Sequence, residues 1–217
     1  MKKCTAIFLA SVMMLMMLTG CTGGTTPTQT TQPTQTTTAP TQVPTQETTQ
    51  MTTEPTQMGT ATGSAAQILS KIWSSYGESE RFACYGGTVE QSVSDGPGDL
   101  DMTNIEEITS KYLLPEAQLA NVESGASLVH LMNSNIFTAA AFKLKDGADV
   151  RACAKALRDN IQKTRWLCGQ PDHLLVAQAE GHLVMAFAAK ENLDTFRQKL
   201  NAAYSGATIL YDEAVTA

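Results

Sequence analysis

No stretch of this chain is apolar for long enough to cross a bilayer. The longest, residues 6–18, holds 13 residues, which at about 1.5 Å per residue span about 20 Å against a hydrocarbon core of about 30 Å. Positive charge is scarce as well. Lys and Arg number 15 against 21 Asp and Glu, a net of -6, which argues against a phosphate backbone or an anionic lipid surface as partner, so no nucleic acid is expected. Histidine occurs three times. His130, His173 and His182 form no i, i+4 pair and have no cysteine or carboxylate beside them at a metal-ligand spacing, so no metal site is expected. No serine stands in a Gly-x-Ser-x-Gly elbow and no local Cys-His pairing is signalled. No catalytic residue is therefore named and no cofactor is expected, although a triad assembled from distant residues stays open.

What is present at the N-terminus is an address. Lys2 and Lys3 precede the apolar run, and Leu18-Thr19-Gly20-Cys21 closes it. A secretory signal needs a short positive head, an apolar core of about 7 to 15 residues and small residues at the cut. Here the small residues lead directly into a cysteine, the pattern of a bacterial lipoprotein signal. Residues 1–20 are read as that signal and Cys21 as the lipidated N-terminus, partnered with membrane lipid through its acyl chains. Two or three chains, at about 0.8 kcal/mol per buried CH₂, anchor stably where one is marginal. A plain cleaved signal without lipid is the alternative.

Apolar side chains then almost vanish. Residues 22–63 contain 19 threonines, and Pro-Thr-Gln recurs at Pro27, Pro33, Pro40, Pro44 and Pro55. With so little to bury, the segment cannot offset an ordering cost of about 1–2 kcal/mol per residue, so residues 21–63 are expected to form a disordered tether. As a flexible coil it would span roughly 35 Å, and as polyproline II about 130 Å. Thr with Pro is also the composition of O-glycosylated stalks, but a bare hydrophilic spacer is the favoured reading of it.

Residues 64–217 have the length and the apolar content of one domain. Ser64 with Gln67 makes a capping box before Ile68, Leu69, Ile72 and Tyr76, which recur at helical spacing and predict a helix ending near Gly77. Residues 78–102 read as loop with one short strand near 81–85. Thr103 with Glu106 suggests a second capping box, and Ile105, Ile108 and Tyr112 form one face of a helix stopping before Pro115. Two strands, 122–132 and 136–145, flank the turn formers Asn133-Ser134-Asn135, and an amphipathic helix follows over 148–167. The plan repeats: strands 173–179 and 182–188 around Glu180-Gly181, then a helix with Leu193, Phe196, Leu200 and Tyr204 in its stripe, with a terminal strand suggested at 209–215. Hairpins make each pair antiparallel, and the economical solution is an α+β fold with the helices packed on one face of an antiparallel sheet.

Removing Cys4 with the signal and lipidating Cys21 leaves Cys84, Cys153 and Cys168, an odd number. Cys153 shares a helical stripe with Val150, Leu157 and Ile161 and reads as a buried thiol. If the helix continues to Trp166, Cys153 and Cys168 stand about 20 Å apart along it, too far to bridge. A Cys84–Cys168 pair is the one disulfide left open. Asp95, Asp99 and Asp101 offer oxygen ligands to calcium, but their order fails the EF-hand loop and turn chemistry explains them. Arg151, Lys155, Arg158 and Arg165 recur at helical spacing, as an anion-docking stripe would and as a solvated face also would.

Residues 103–204 resemble a domain-of-unknown-function family found on lipoproteins of Gram-positive bacteria. The resemblance rests on Ile105-Glu106-Glu107-Ile108, on Ser127-Leu128-Val129-His130, on the strand 136–145 with its helix-long spacer, and on Gly181-His182-Leu183-Val184. The family shows Gly, a polar residue and then Tyr-Val at the last of these, so Leu183 departs from it. These are packing motifs, and the resemblance implies the lipoprotein address without a mechanism. Three functions follow: a noncatalytic, surface-tethered binding or interaction module with a wall or protein partner; a wall- or peptide-directed hydrolase with dispersed active-site residues; and an accessory subunit of an envelope or export complex. A polar cluster in a pocket would favour the second and a large exposed apolar patch the third.

Overall fold

The capping box at Ser64 starts the first helix as its residues require: Ser64 Oγ accepts from the Gln67 amide at 3.2 Å and Gln67 Oε1 accepts from the Ser64 amide at 2.9 Å. In the computed structural model, which describes residues 63–167 and 169–216, this helix is α1 (Ala65–Ser74), and it buries Ile68, Leu69, Ile72 and Trp73. Three short strands follow, β1 (Cys84–Gly87), β2 (Ser92–Ser94) and β3 (Gly98–Asp99), then α2 (Ile105–Lys111) and a single turn, α3 (Glu116–Leu119). Next come the two repeated units: β4 (Val122–His130), β5 (Phe137–Leu144), α4 (Val150–Lys163), and β6 (His173–Ala179), β7 (His182–Ala188), α5 (Lys190–Ala203). A last strand, β8 (Thr208–Ala214), completes the order. The signal, Cys21 and the tether expected over residues 1–62 lie outside the described residues, as does Cys168.

All eight strands form one antiparallel sheet in the order β2-β1-β4-β5-β7-β6-β8, with β3 also paired to β4. The α+β class and the two strand-strand-helix units are therefore as expected from the sequence. Adjacent units join through β5 and β7, which run in register from Phe137 opposite Ala188 to Lys143 opposite His182. The β6–β7 turn places Glu180 at φ 45° and Gly181 at φ 74°, the left-handed pair that matches a two-residue hairpin to strand twist.

The helices do not share one face. Ala139, Ala141, Leu175, Ala177, Val184 and Ala186 pack with α1 and α5, whereas Ala140, Phe142, Leu174, Val176, Leu183 and Met185 pack with α2 and α4. This corrects the expected one-faced arrangement. The reason lies in the strand residues: β7 is buried at all seven positions and β5 at all but one, and a strand without polar alternation needs cover on both sides.

Two local expectations are also corrected. The N-cap of α2 is Asn104, whose side chain accepts from the Glu107 amide at 3.2 Å. Thr103 is engaged elsewhere, its amide and hydroxyl both donating to Asp101 Oδ1 at 2.9 and 2.6 Å. Residues 78–102, expected to hold one strand, hold three, because β1 and β3 meet β4 through glycine. A Cβ on Gly86 would stand 2.2 Å from the Gly98 amide nitrogen, so the approach is open only to glycine. Among the described residues no helix is long and apolar enough to cross a membrane.

Candidate functional site

The C-terminal end of α2 and the loops β4–β5 and α4–β6 meet at one end of the sheet and enclose an open cleft of about 320 Å³. Each wall is fixed by a hydrogen bond within the fold. The β4–β5 wall comprises Asn133, Ser134 and Asn135. Asn135 donates through Nδ2 to the Gly169 carbonyl at 2.6 Å, and the Ser134 carbonyl accepts from Thr138 Oγ1 at 2.9 Å. His130 Nδ1 accepts from the amides of Met132 and Asn133 at 3.2 and 3.4 Å and holds the entry to the same loop.

The α4–β6 wall exists because α4 stops early. Thr164 takes extended backbone and its hydroxyl caps the Asn160 carbonyl at 2.8 Å, so Arg165, Trp166 and Leu167 lie beyond the helix and line the cleft. Trp166 packs on Phe187 of β7 with ring centroids 5.1 Å apart. Its indole Nε1 is buried with no hydrogen-bond partner among the described residues. The third wall is Ser110, Lys111 and Leu113. Leu113 holds φ 56°, the left-handed position that usually goes to glycine after a helix. Such backbone costs of order 1–3 kcal/mol and persists where surrounding structure imposes it; here Asn160 Nδ2 donates to the Leu113 carbonyl at 2.8 Å.

Lys111 and Arg165 are the charged lining residues, and the lining includes no carboxylate. That sign is opposite to the net charge of the chain. Lys111 Nζ pairs with Glu107 Oε1 at 3.2 Å and lies 5.0 and 5.1 Å from the ring centroids of Tyr85 and Tyr112. Burial works against the ammonium, but Tyr112, Tyr85 and Glu107 outweigh it and set its pKa above the ordinary lysine value. Below it, Tyr112 Oη and Ser127 Oγ share a hydrogen bond of 3.0 Å, and Ser127 Oγ accepts from the Gly87 amide at 3.0 Å. Burial pushes the Tyr112 phenol up, so it stays protonated. Leu167 of the lining is 85% exposed, and Leu131 and Met132, which precede Asn133 in the chain, are 56 and 81% exposed.

No family model, curated protein or solved structure matches this chain.

The residues singled out in the sequence are dispersed. Of the basic row, Lys155 pairs with Asp159, and Arg158 with Glu213 and Asp159; Arg165 alone of the four lines the cleft. Cys84 and Cys153 are free, buried thiols. The Cys84–Cys168 pairing left open in the sequence involves Cys168, which lies outside the described residues; Cys84 itself sits in the core that α1 covers, where burial raises its pKa to about 11. Cys153 is buried as its stripe predicts, with Sγ donating to Gln118 Oε1 at 3.1 Å. Asp101 caps its own turn, and the Asp95 carbonyl accepts from Trp73 Nε1 at 3.0 Å, so turn and packing roles account for them. Among the described residues no group of three His, Cys, Asp or Glu side chains is placed to hold a metal.

Proposed function

We propose that this protein is a lipid-anchored, extracytoplasmic binding module, held off the membrane by residues 22–63 and exposing the cleft to solvent. The address rests on the signal-like N-terminus and Cys21. The binding reading rests on one observation: the cleft walls are preformed, with Asn135, Thr164 and the Leu113 carbonyl each tied by hydrogen bonds within the fold. A site ordered in advance avoids the cost of ordering loops on association. Donors, amides and two cations beside aromatic surface suit recognition of a polar ligand.

Because the thioether can form only on a cysteine at the cut, Cys21→Ser is expected to abolish incorporation of labelled fatty acid and to move the protein out of the membrane fraction. Undiminished labelling of the variant overturns the anchor. The exposed apolar side chains Leu131, Met132 and Leu167 favour a second reading, an accessory subunit of an envelope complex that docks on a protein through them.

A further inference from the structure

We propose that the cleft binds a small ligand bearing a single carboxylate next to an apolar or ring face. The inference rests on the binding-module reading and names the ligand class of the same site. Three features carry it. First, the charged residues lining the cleft are Lys111 and Arg165, without a carboxylate among the lining residues, in a chain whose net charge is -6. Arg165 is held at the cleft by the early stop of α4 at Lys163.

Second, Glu107 pairs with Lys111 at 3.2 Å and is itself mostly enclosed, its side chain 11% exposed. It cancels one of the two positive charges and leaves roughly one for a ligand, which matches a carboxylate better than a doubly charged phosphate. Third, the uncharged surface is divided. Phe187, Trp166 and Leu113 offer an apolar floor, while Ser110, Asn133 and Ser134 offer hydroxyls and amides. A carboxylate on the cations brings its neighbouring group onto the aromatic pair. A ligand of that kind arises as the free carboxyl end of a peptide with an apolar last residue, or as an acidic sugar whose ring stacks on an aromatic face.

The two tryptophans make the test direct. Trp73 belongs to α1 and sits in the opposite core, so Trp73→Phe leaves Trp166 as the sole indole. If Trp73→Phe fails to fold, the difference between wild type and Trp166→Phe isolates the same signal. The full chain in nonionic detergent is titrated with N-acetyl-phenylalanine and with glucuronic acid, and their neutral counterparts N-acetyl-phenylalaninamide and methyl glucoside serve as controls alongside inorganic phosphate. One of the two carboxylates is expected to change Trp166 emission saturably, at least tenfold more tightly than its neutral counterpart and than phosphate. Which one does so assigns the peptide or the sugar source. Arg165→Gln and Lys111→Gln are each expected to weaken that binding about tenfold. No response to either carboxylate, equal response to the neutral compound, tighter phosphate binding, or binding indifferent to both charge-removing substitutions overturns the inference. Cys21→Ser labelling is independent of every one of these outcomes, so the anchored reading stands or falls separately.

Discussion

His182 is fully buried on β7. Its Nδ1 lies 2.9 Å from the Glu180 carbonyl, which assigns the ring proton to Nδ1, and Nε2 has no partner among the described residues. Burial, aided by Lys143 and opposed by the Glu180 hydrogen bond and the charges of Glu123 and Glu180, lowers its pKa below the ordinary 6.5. The unfolded chain takes up this proton near 6.5, whereas the fold holds the ring neutral to lower pH. Between those values the unfolded state binds more protons, so stability is complete above 6.5 and falls as the pH drops through the window. Thermal melts between pH 7.5 and 5 are expected to show a shallower decline for His182→Gln than for the wild type, with each 1 kcal/mol of lost sensitivity appearing as about 2–4 °C. Equal slopes would show that the histidine does not titrate on unfolding. Little of this residue-level detail was legible in the sequence. Thr103 and Asn104 are both good caps, and only the Asp101 side chain, competing for Thr103, decides between them. Leu113 at positive φ leaves no trace in composition at all, because its conformation is imposed by Asn160, 47 residues on.

At the scale of elements, hydrophobic spacing predicted α1, α4, α5 and the four long strands because each is amphipathic or continuously apolar over several residues. It missed β2 and β3, whose pairing is made by backbone and glycine, and it ran α4 on to Leu167 because Thr164 can continue a helix as readily as cap one. The faces covered by α4 and α5 were readable in principle from the unbroken apolar character of β5 and β7. With helices on both faces, truncation on either should be costly. Phe196→Ala in α5, where the ring meets Phe137 at 5.5 Å, is expected to cost about 3–5 kcal/mol, and Leu157→Ala in α4 about 2–5 kcal/mol. Arg158→Ala, on the outer side of α4, should cost about 1 kcal/mol. That exceeds the value for a plain solvated face because Arg158 bridges α4 to β8 through Glu213. Denaturant melts compare the three; a large loss for Phe196→Ala with a negligible one for Leu157→Ala would return the helices to a single face.

For the whole molecule, the cleft was the least legible part. Its three walls and floor come from four places in the chain, and the Ser, Asn and Thr residues among them read locally as turn formers. Arg165 was noticed, but as a member of a helical row rather than as a residue released past the end of α4. What the sequence makes plainest is the division into an apolar run ending at Cys21, a Thr- and Pro-rich polar stretch and a folded unit that carries its own two cores. The central claim is that this folded unit stands outside the membrane on residues 22–63. A Glu-specific protease added to wall-stripped intact cells tests it directly, because Glu47 and Glu54 are the carboxylates of that spacer and Pro55 shields the second bond. Brief digestion should release a fragment beginning at Thr48, identified by mass, that melts within a degree or two of the uncut protein. A chain that stays intact until the cells are lysed, or that is cut first within residues 64–217, would contradict the account.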